Sequence, residues 1–276
     1  MTPVLTGLAA VAGLIVLAVA AATITGLRQP SRRIYRHGTV IFAALRQDDP
    51  VFRLIAPDAL WTASAQFTLI GESDAYWTDY LILPPDTRAV AELKTQPGLS
   101  DMFVAEVELT PVPALALGVL RLRHLLGLTR RPQGPLPTLI DHIEGRRELL
   151  PTIEAIAKAQ ALTGDAPVTM VNFLEYFAAA GGDAVDGRAA YLRYGREAFK
   201  AVHTVGGQFL FAGTITAMLV RPASPDWQGP WDDVAAMIYP DPTAIFAMEQ
   251  LPAYRRALGD RDAGLKRTCV IATRVG

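Results

Sequence analysis

The chain carries an echo of itself. Pro85-Asp86-Thr87-Arg88-Ala89-Val90, followed by Leu93 and Pro97, returns 155 positions later as Pro240-Asp241-Pro242-Thr243-Ala244-Ile245, followed by Met248 and Pro252. A turn, a helix start and a helix stop recurring in register over that distance predict a duplicated domain. The same spacing sets Trp231 against Tyr76. A second correspondence, Gln66-Phe67 with Gly71 against Gln208-Phe209 with Gly213, is spaced by 142 positions, as expected if the loops between the second and third strands differ in length.

Around these anchors each half predicts the order βαββαβ. In the first half, apolar runs and alternation predict strands over 39–45, 66–70, 76–83 and 103–109, with helices over 50–60 and 86–95. In the second half the strands are 168–174, 208–220, 231–239 and 267–273, with a helix over 187–205 and another beginning at Asp241. Asp86 and Asp241 read as helix N-caps, and Pro242 stands where a missing N–H costs nothing. The expected fold class is α+β: two tandem ferredoxin-like βαββαβ repeats forming a pseudo-dimeric α/β barrel, their sheets face to face around a cavity. The expected domains are an anchor over 1–28, a diverged first repeat over 35–112, a helical linker over 113–165 and a second repeat over 166–276.

The anchor follows from the first residues. No charged side chain occurs from Met1 to Leu27, and Val4 to Ile24 is a run of 21 residues. As a helix that run is about 31 Å long, near the ~30 Å hydrocarbon thickness of a bilayer. Arg28, Arg32, Arg33 and Arg36 follow it, and no Lys or Arg precedes it. The distribution predicts a single-pass helix in the inner membrane, with the C-terminal part cytoplasmic. Ala18-Val19-Ala20 offers the competing signal-peptide reading, without the basic n-region that reading needs. Residues 114–128, rich in Leu with Arg121, Arg123 and His124, read as an amphipathic helix lying on the membrane or packed on the barrel. A helix over 138–162, interrupted at Pro151, leads into the second half.

Composition removes several function classes. A formal net charge of −1 gives no basic face for nucleic acid. The single cysteine, Cys269, excludes an intramolecular disulfide. No phosphate-binding glycine loop, nucleophile elbow or metal-spaced His/Cys cluster is present, and Asp141-His142-Ile143-Glu144 lacks the second His of a zinc helix. The expected partners are the bilayer through 4–24 and a small-molecule ligand, with no oligomer required to close the barrel.

Motifs in the second half form a recognisable set: Pro167 to Leu174, Tyr191-Leu192-Arg193-Tyr194-Gly195, Gly206-Gly207-Gln208, Trp231-Asp232-Asp233-Val234, Pro252-Ala253-Tyr254 and Arg261-Asp262-Ala263-Gly264-Leu265. Together they resemble the domain of unknown function thirteen-thirty, over roughly 150–276. The resemblance implies the dimeric α/β-barrel superfamily, which includes cofactor-free monooxygenases, haem-degrading enzymes, isomerases and stress-induced proteins. The first half departs from the pattern: Phe42 or a neighbour stands where Asn172 stands, and nothing answers Arg261 to Leu265. The site is therefore expected in the second half.

Asn172 is an amide in an apolar strand and needs a partner, because burying it unpaired costs about 1–3 kcal/mol. His203, near a helix C-terminus, is favoured there by the helix dipole and is also a candidate proton carrier. Asn172 and His203 are the candidate catalytic residues. Tyr191, Tyr194, Trp231, Tyr254 and Arg261 are the candidate ligand-binding residues, Arg261 as a fork donor to a carboxylate. The expected function is binding of a small apolar molecule between the sheets, with cofactor-free oxygenase or isomerase chemistry by fold analogy. A non-catalytic interaction module at the membrane is the alternative from another class. No cofactor is expected, with haem the exception that the Asn, Trp and His set raises.

Overall fold

The computed structural model describes residues 3–48, 56, 58–71, 75–129, 131–132, 146–162, 166–178 and 186–275. Eight strands dominate it: β1 (Thr39–Gln47), β2 (Trp61–Ile70), β3 (Asp79–Leu83), β4 (Leu99–Leu109), β5 (Val168–Tyr176), β6 (Gln208–Val220), β7 (Asp233–Tyr239) and β8 (Leu265–Val275). Every pairing is antiparallel. The strands close into one barrel in the order β1-β3-β2-β8-β5-β7-β6-β4. The first four strands occupy one arc and the last four the other.

Two ladders join the arcs. β2 runs along β8 from Ala63 opposite Val275 to Ile70 opposite Val270, and β4 runs along β6 from Val104 opposite Val220 to Leu109 opposite Gly213. These seams correct the expected fold class. Two ferredoxin-like sheets facing each other across a cavity would leave open edges; here the edges hydrogen-bond to each other, so the eight strands form a single closed antiparallel barrel.

Closure buries the inner face of each strand, and α3 (Thr87–Lys94) covers the outer face of β1 as well, which is why β1 reads as a continuous apolar run rather than an alternating one. Its Val40, Phe42 and Ala44 point into the barrel core, while Ile41, Ala43 and Leu45 cluster under α3 with Val90 and Leu93. The barrel centre is aromatic. Phe173 lies 5.5 Å from Phe42 and from Phe103, 4.9 Å from Trp227 and 5.5 Å from Trp231, between ring centroids. A centre filled this way leaves the middle of the barrel solid, as the interiors of small barrels generally are.

The other helices are α1 (Pro3–Leu27), α2 (Ser31–Ile34), α4 (Ala114–Leu125), α5 (Ile153–Ala161), α6 (Gly187–Thr204), α7 (Ala244–Ala247) and α8 (Pro252–Gly264). α6 and α8 cover the outer face of β5 and β8. Asp86 caps α3 by accepting from the Arg88 amide, as its sequence predicts. Its counterpart makes the same contact, Asp241 accepting from the Thr243 amide at 3.0 Å, but its carboxylate also takes Arg131 and the Thr243 hydroxyl, and the four-residue α7 begins only at Ala244. Most of the helix read over 50–60 falls outside the described residues, and the described positions 56 and 58–60 are not helical; 138–145 lies wholly outside.

The membrane anchor is also corrected. Among the described residues, no helix is long and apolar enough to cross a membrane. The C-terminal part of α1 instead lies against α4. A Cβ on Gly118 would overlap the carbonyl of Ala22, and one on Gly26 would overlap that of Ala114, so these glycines set how closely the two helices cross. The amphipathic segment read over 114–128 is therefore docked on α1 at Ala114 and Gly118. Leu14 to Leu17 of α1, Leu125 at the end of α4, and Leu126 and Leu128 beyond it remain exposed.

Candidate functional site

The structure gathers five of the seven candidate residues. Asn172, Tyr191, Tyr194, Tyr254 and Arg261 line one cavity of about 90 Å³. It lies not inside the barrel but between the outer face of β5, β7 and β8 and the helices α6 and α8. Strand alternation explains the placement: Phe173 points into the barrel, so its neighbour Asn172 points out. On α6, Tyr191 and Tyr194 are three residues apart and share the face turned to the sheet.

Aromatic rings form a chain here. Tyr176, Tyr191, Tyr194 and Tyr254 follow one another at centroid distances of 5.3, 5.3 and 5.8 Å. The hydroxyls of Tyr194 and Tyr254 share a hydrogen bond of 3.0 Å. Burial pushes the phenols of Tyr191, Tyr194 and Tyr254 up, so all three stay protonated at neutral pH. Arg261 is 6 % exposed and pairs with the adjacent Asp262, its Nε donating at 3.0 Å. Its Nη2 lies 2.9 Å from the same oxygen but is misaligned for a hydrogen bond. The amide of Asn172 donates to the backbone oxygens of Met170 at 3.0 Å and Ala235 at 3.3 Å. Its partners are the strands themselves. A cavity of this size holds a few waters, not a metabolite.

Trp231 and His203 lie elsewhere. Trp231 lines a cleft of about 600 Å³ at one mouth of the barrel, within the range typical of small-molecule sites. Trp227, Cys269, Glu175, Lys266 and Arg267 stand in the same walls. Glu175 is buried and takes Lys266 on one oxygen at 2.6 Å and Arg267 on the other at 3.1 Å. The Arg267 guanidinium lies 4.1 Å over the Trp231 ring. The indole Nε1 of Trp231 is buried without a hydrogen-bond partner. Gly71, at φ +127°, brings the chain past Cys269 where a Cβ would sit 3.0 Å from the thiol. Burial pushes that thiol up to about 12, so it is protonated and a poor nucleophile at neutral pH.

Sequence reading missed this cleft, apart from Trp231. The signal was present in β5 and β8: Glu175, Lys266 and Arg267 are charges at the ends of otherwise apolar strands, where a barrel mouth begins. His203 lines a third pocket, with Arg123 and Lys200. Asn172, Trp231 and His203, the residues that raised haem, thus stand in three separate pockets.

No family profile matches the chain, and no curated protein matches it. Among solved structures, the chain is similar to a protein of unknown function from Rhodopseudomonas palustris, with 30% identity over 44% of this chain and 92% of that one, at a TM-score of 0.38. Two candidate monooxygenases also align. The one from Lactobacillus acidophilus is 9% identical over 86% of this chain and 94% of its own, with a TM-score of 0.40. The one from Fusobacterium nucleatum is 7% identical over 86% and 91%, with a TM-score of 0.37.

Proposed function

We propose that this protein binds a small, largely apolar molecule in the barrel-mouth cleft rather than at the barrel centre. The observation that carries the reading is the cleft itself: about 600 Å³ walled by Trp227 and Trp231, with the Trp231 Nε1 buried and unpartnered. Two indoles supply flat apolar contact, and the free N–H favours a ligand with one hydrogen-bond acceptor. Glu175 spends both oxygens on cations, and the Cys269 thiol is protonated. The other carboxylates in the walls are Glu148, paired with Arg146, and Asp226. Binding is the primary activity in this reading. A cofactor-free oxygenase or isomerase step would draw on the reactivity of the bound molecule, held away from water.

The test uses the full chain. Native mass spectrometry of the purified protein should reveal a co-purifying small molecule, and titration with a set of aromatic and aliphatic compounds should change tryptophan fluorescence. Trp77, Trp227 and Trp231, three of the four tryptophans, cluster near this mouth. Trp231→Phe should weaken the binding about tenfold. No bound mass and no saturable fluorescence change would overturn the reading. That result would favour the second one, a non-catalytic interaction module, which the solid barrel centre and the exposed apolar side chains of α1 support.

A further inference from the structure

The pocket that holds His203 has a chemistry of its own. It is a groove of about 310 Å³ between α4, α6 and the start of α8, with Arg123, Lys200 and Thr129 in its walls beside Ala253 and Tyr254. α8 is 13 residues long and begins without a side-chain cap: Leu251 occupies the N-cap and Pro252 the first position. The backbone N–H groups of Ala253 and Tyr254 therefore start the helix with no intrahelical acceptor. Aligned helix dipoles make such a start attractive to an anion. Arg123 and Lys200 add positive charge, which Glu197, paired with Lys200 at 2.7 Å, offsets in part.

His203 supplies the independent observation. It is 4 % exposed, and its Nδ1 lies 2.9 Å from the Phe199 carbonyl. A carbonyl only accepts, so Nδ1 carries the proton and Nε2 is left with a lone pair. That Nε2 is buried without a partner, as is the Thr129 hydroxyl. The groove thus combines several donors with one orphan acceptor. Sulfate or a simple carboxylate would satisfy the donors alone. An oxyanion with its own O–H satisfies both sets.

We propose that this groove binds a small oxyanion carrying a hydroxyl, of which inorganic phosphate is the simplest. The helix start, Arg123 and Lys200 hold the charged oxygens, and Nε2 of His203 accepts from the P–OH. The site is separate from the barrel-mouth cleft and stands or falls independently of it. The groups facing His203 are consistent: Arg123 and Lys200 flank it, and burial with the nearby His124 holds its imidazole below the usual range, which keeps Nε2 an acceptor at neutral pH.

The experiment is calorimetric titration of the full chain with phosphate at pH 8, against sulfate at matched ionic strength. Phosphate should bind saturably, and sulfate at least about tenfold more weakly, since it has no proton to give. Arg123→Ala with Lys200→Ala should weaken phosphate about tenfold or more. His203→Leu should abolish the preference for phosphate. No saturable phosphate binding at tens of millimolar, or binding that the Arg123/Lys200 double variant leaves unchanged, overturns the proposal. Equal affinity for the two anions overturns the part given to His203. Because Arg123 and Lys200 are exposed, their variants keep the test valid even where His203→Leu fails to fold.

Discussion

Phe173 and Asn172 are adjacent on β5 and belong to two different interiors. Phe173 stands in the aromatic centre of the barrel, touching rings from β1 and β4 of the opposite arc, with no polar atom to satisfy. Asn172 faces the layer under α6 and α8, where tyrosine hydroxyls, a buried guanidinium and backbone oxygens must all be matched. The first interior is held by packing and closes the barrel. The second is held by polar pairing and is selective about what replaces each group. Function, on this reading, sits where neither rule is complete: at the barrel mouth, where Trp231 keeps an unpartnered N–H, and in the groove beside His203.

The contrast predicts a ranking. Phe173→Ala should cost most, about 3–5 kcal/mol in urea unfolding, because it opens a void bounded by rings that cannot collapse. A loss under about 1 kcal/mol would mean the barrel centre is not packed as described. Arg261→Met should follow at about 2–3 kcal/mol, since it leaves Asp262 without its guanidinium in a poorly hydrated site. A neutral or stabilising result would show that packing, not pairing, also governs the outer layer. Asn172→Leu should cost about 1 kcal/mol by losing its two backbone contacts without unsatisfying the strands, whose ladder bonds remain. A far larger loss would assign that amide a role beyond β5. At the mouth, Arg267→Ala should cost no more than about 1 kcal/mol, because Lys266 still meets Glu175. The same change should alter the tryptophan emission maximum, since the guanidinium leaves the Trp231 face. An unchanged spectrum would break the link between that pair and the cleft.

The smallest effect is in pH. Burial lowers the His203 pKa below its ordinary value of 6.5, so the unfolded chain binds this proton more readily than the folded one. Stability from this residue is then complete above pH 6.5 and declines as pH falls below it. Melting temperatures measured from pH 7.5 to about 5 should fall in the native protein and fall less steeply in His203→Gln. Identical slopes would show that His203 is not buried in its neutral form.

The strands were read from local alternation and apolar runs, not from the echo at 155 positions, and the comparisons lend the duplication no support. β6 runs over the residues that its alternation and flanking glycines indicate, Gln208 to Val220, and α6 ends within a residue of its predicted stop. At Asp241 the capping contact to the Thr243 amide is present, but the carboxylate also meets Arg131 across the fold and the regular helix starts only at Ala244. The apolar run at the start was read as a membrane span from length and hydropathy. Its contact with α4 rests on Gly26 and Gly118, more than ninety residues apart in the chain, a juxtaposition local pattern does not reveal.

The candidate residues divide in the same way. Tyr191 and Tyr194 were legible as a pair because helical spacing puts them on one face of α6, whereas Tyr254 and Arg261 were singled out without the helix α8 that carries them. Their separation from Trp231 and His203 was not legible, since it depends on which side of β5 the helices lie. By itself, the sequence determined the strands, the helix faces and the alternation that sends Phe173 and Asn172 in opposite directions, because these are short-range consequences of backbone geometry. Only the tertiary structure decided that the β2–β8 and β4–β6 seams close one barrel, that its centre is filled and that open space lies at its mouth. Seam pairing and cavity volume depend on residues distant in the chain meeting in space, and no local period encodes that.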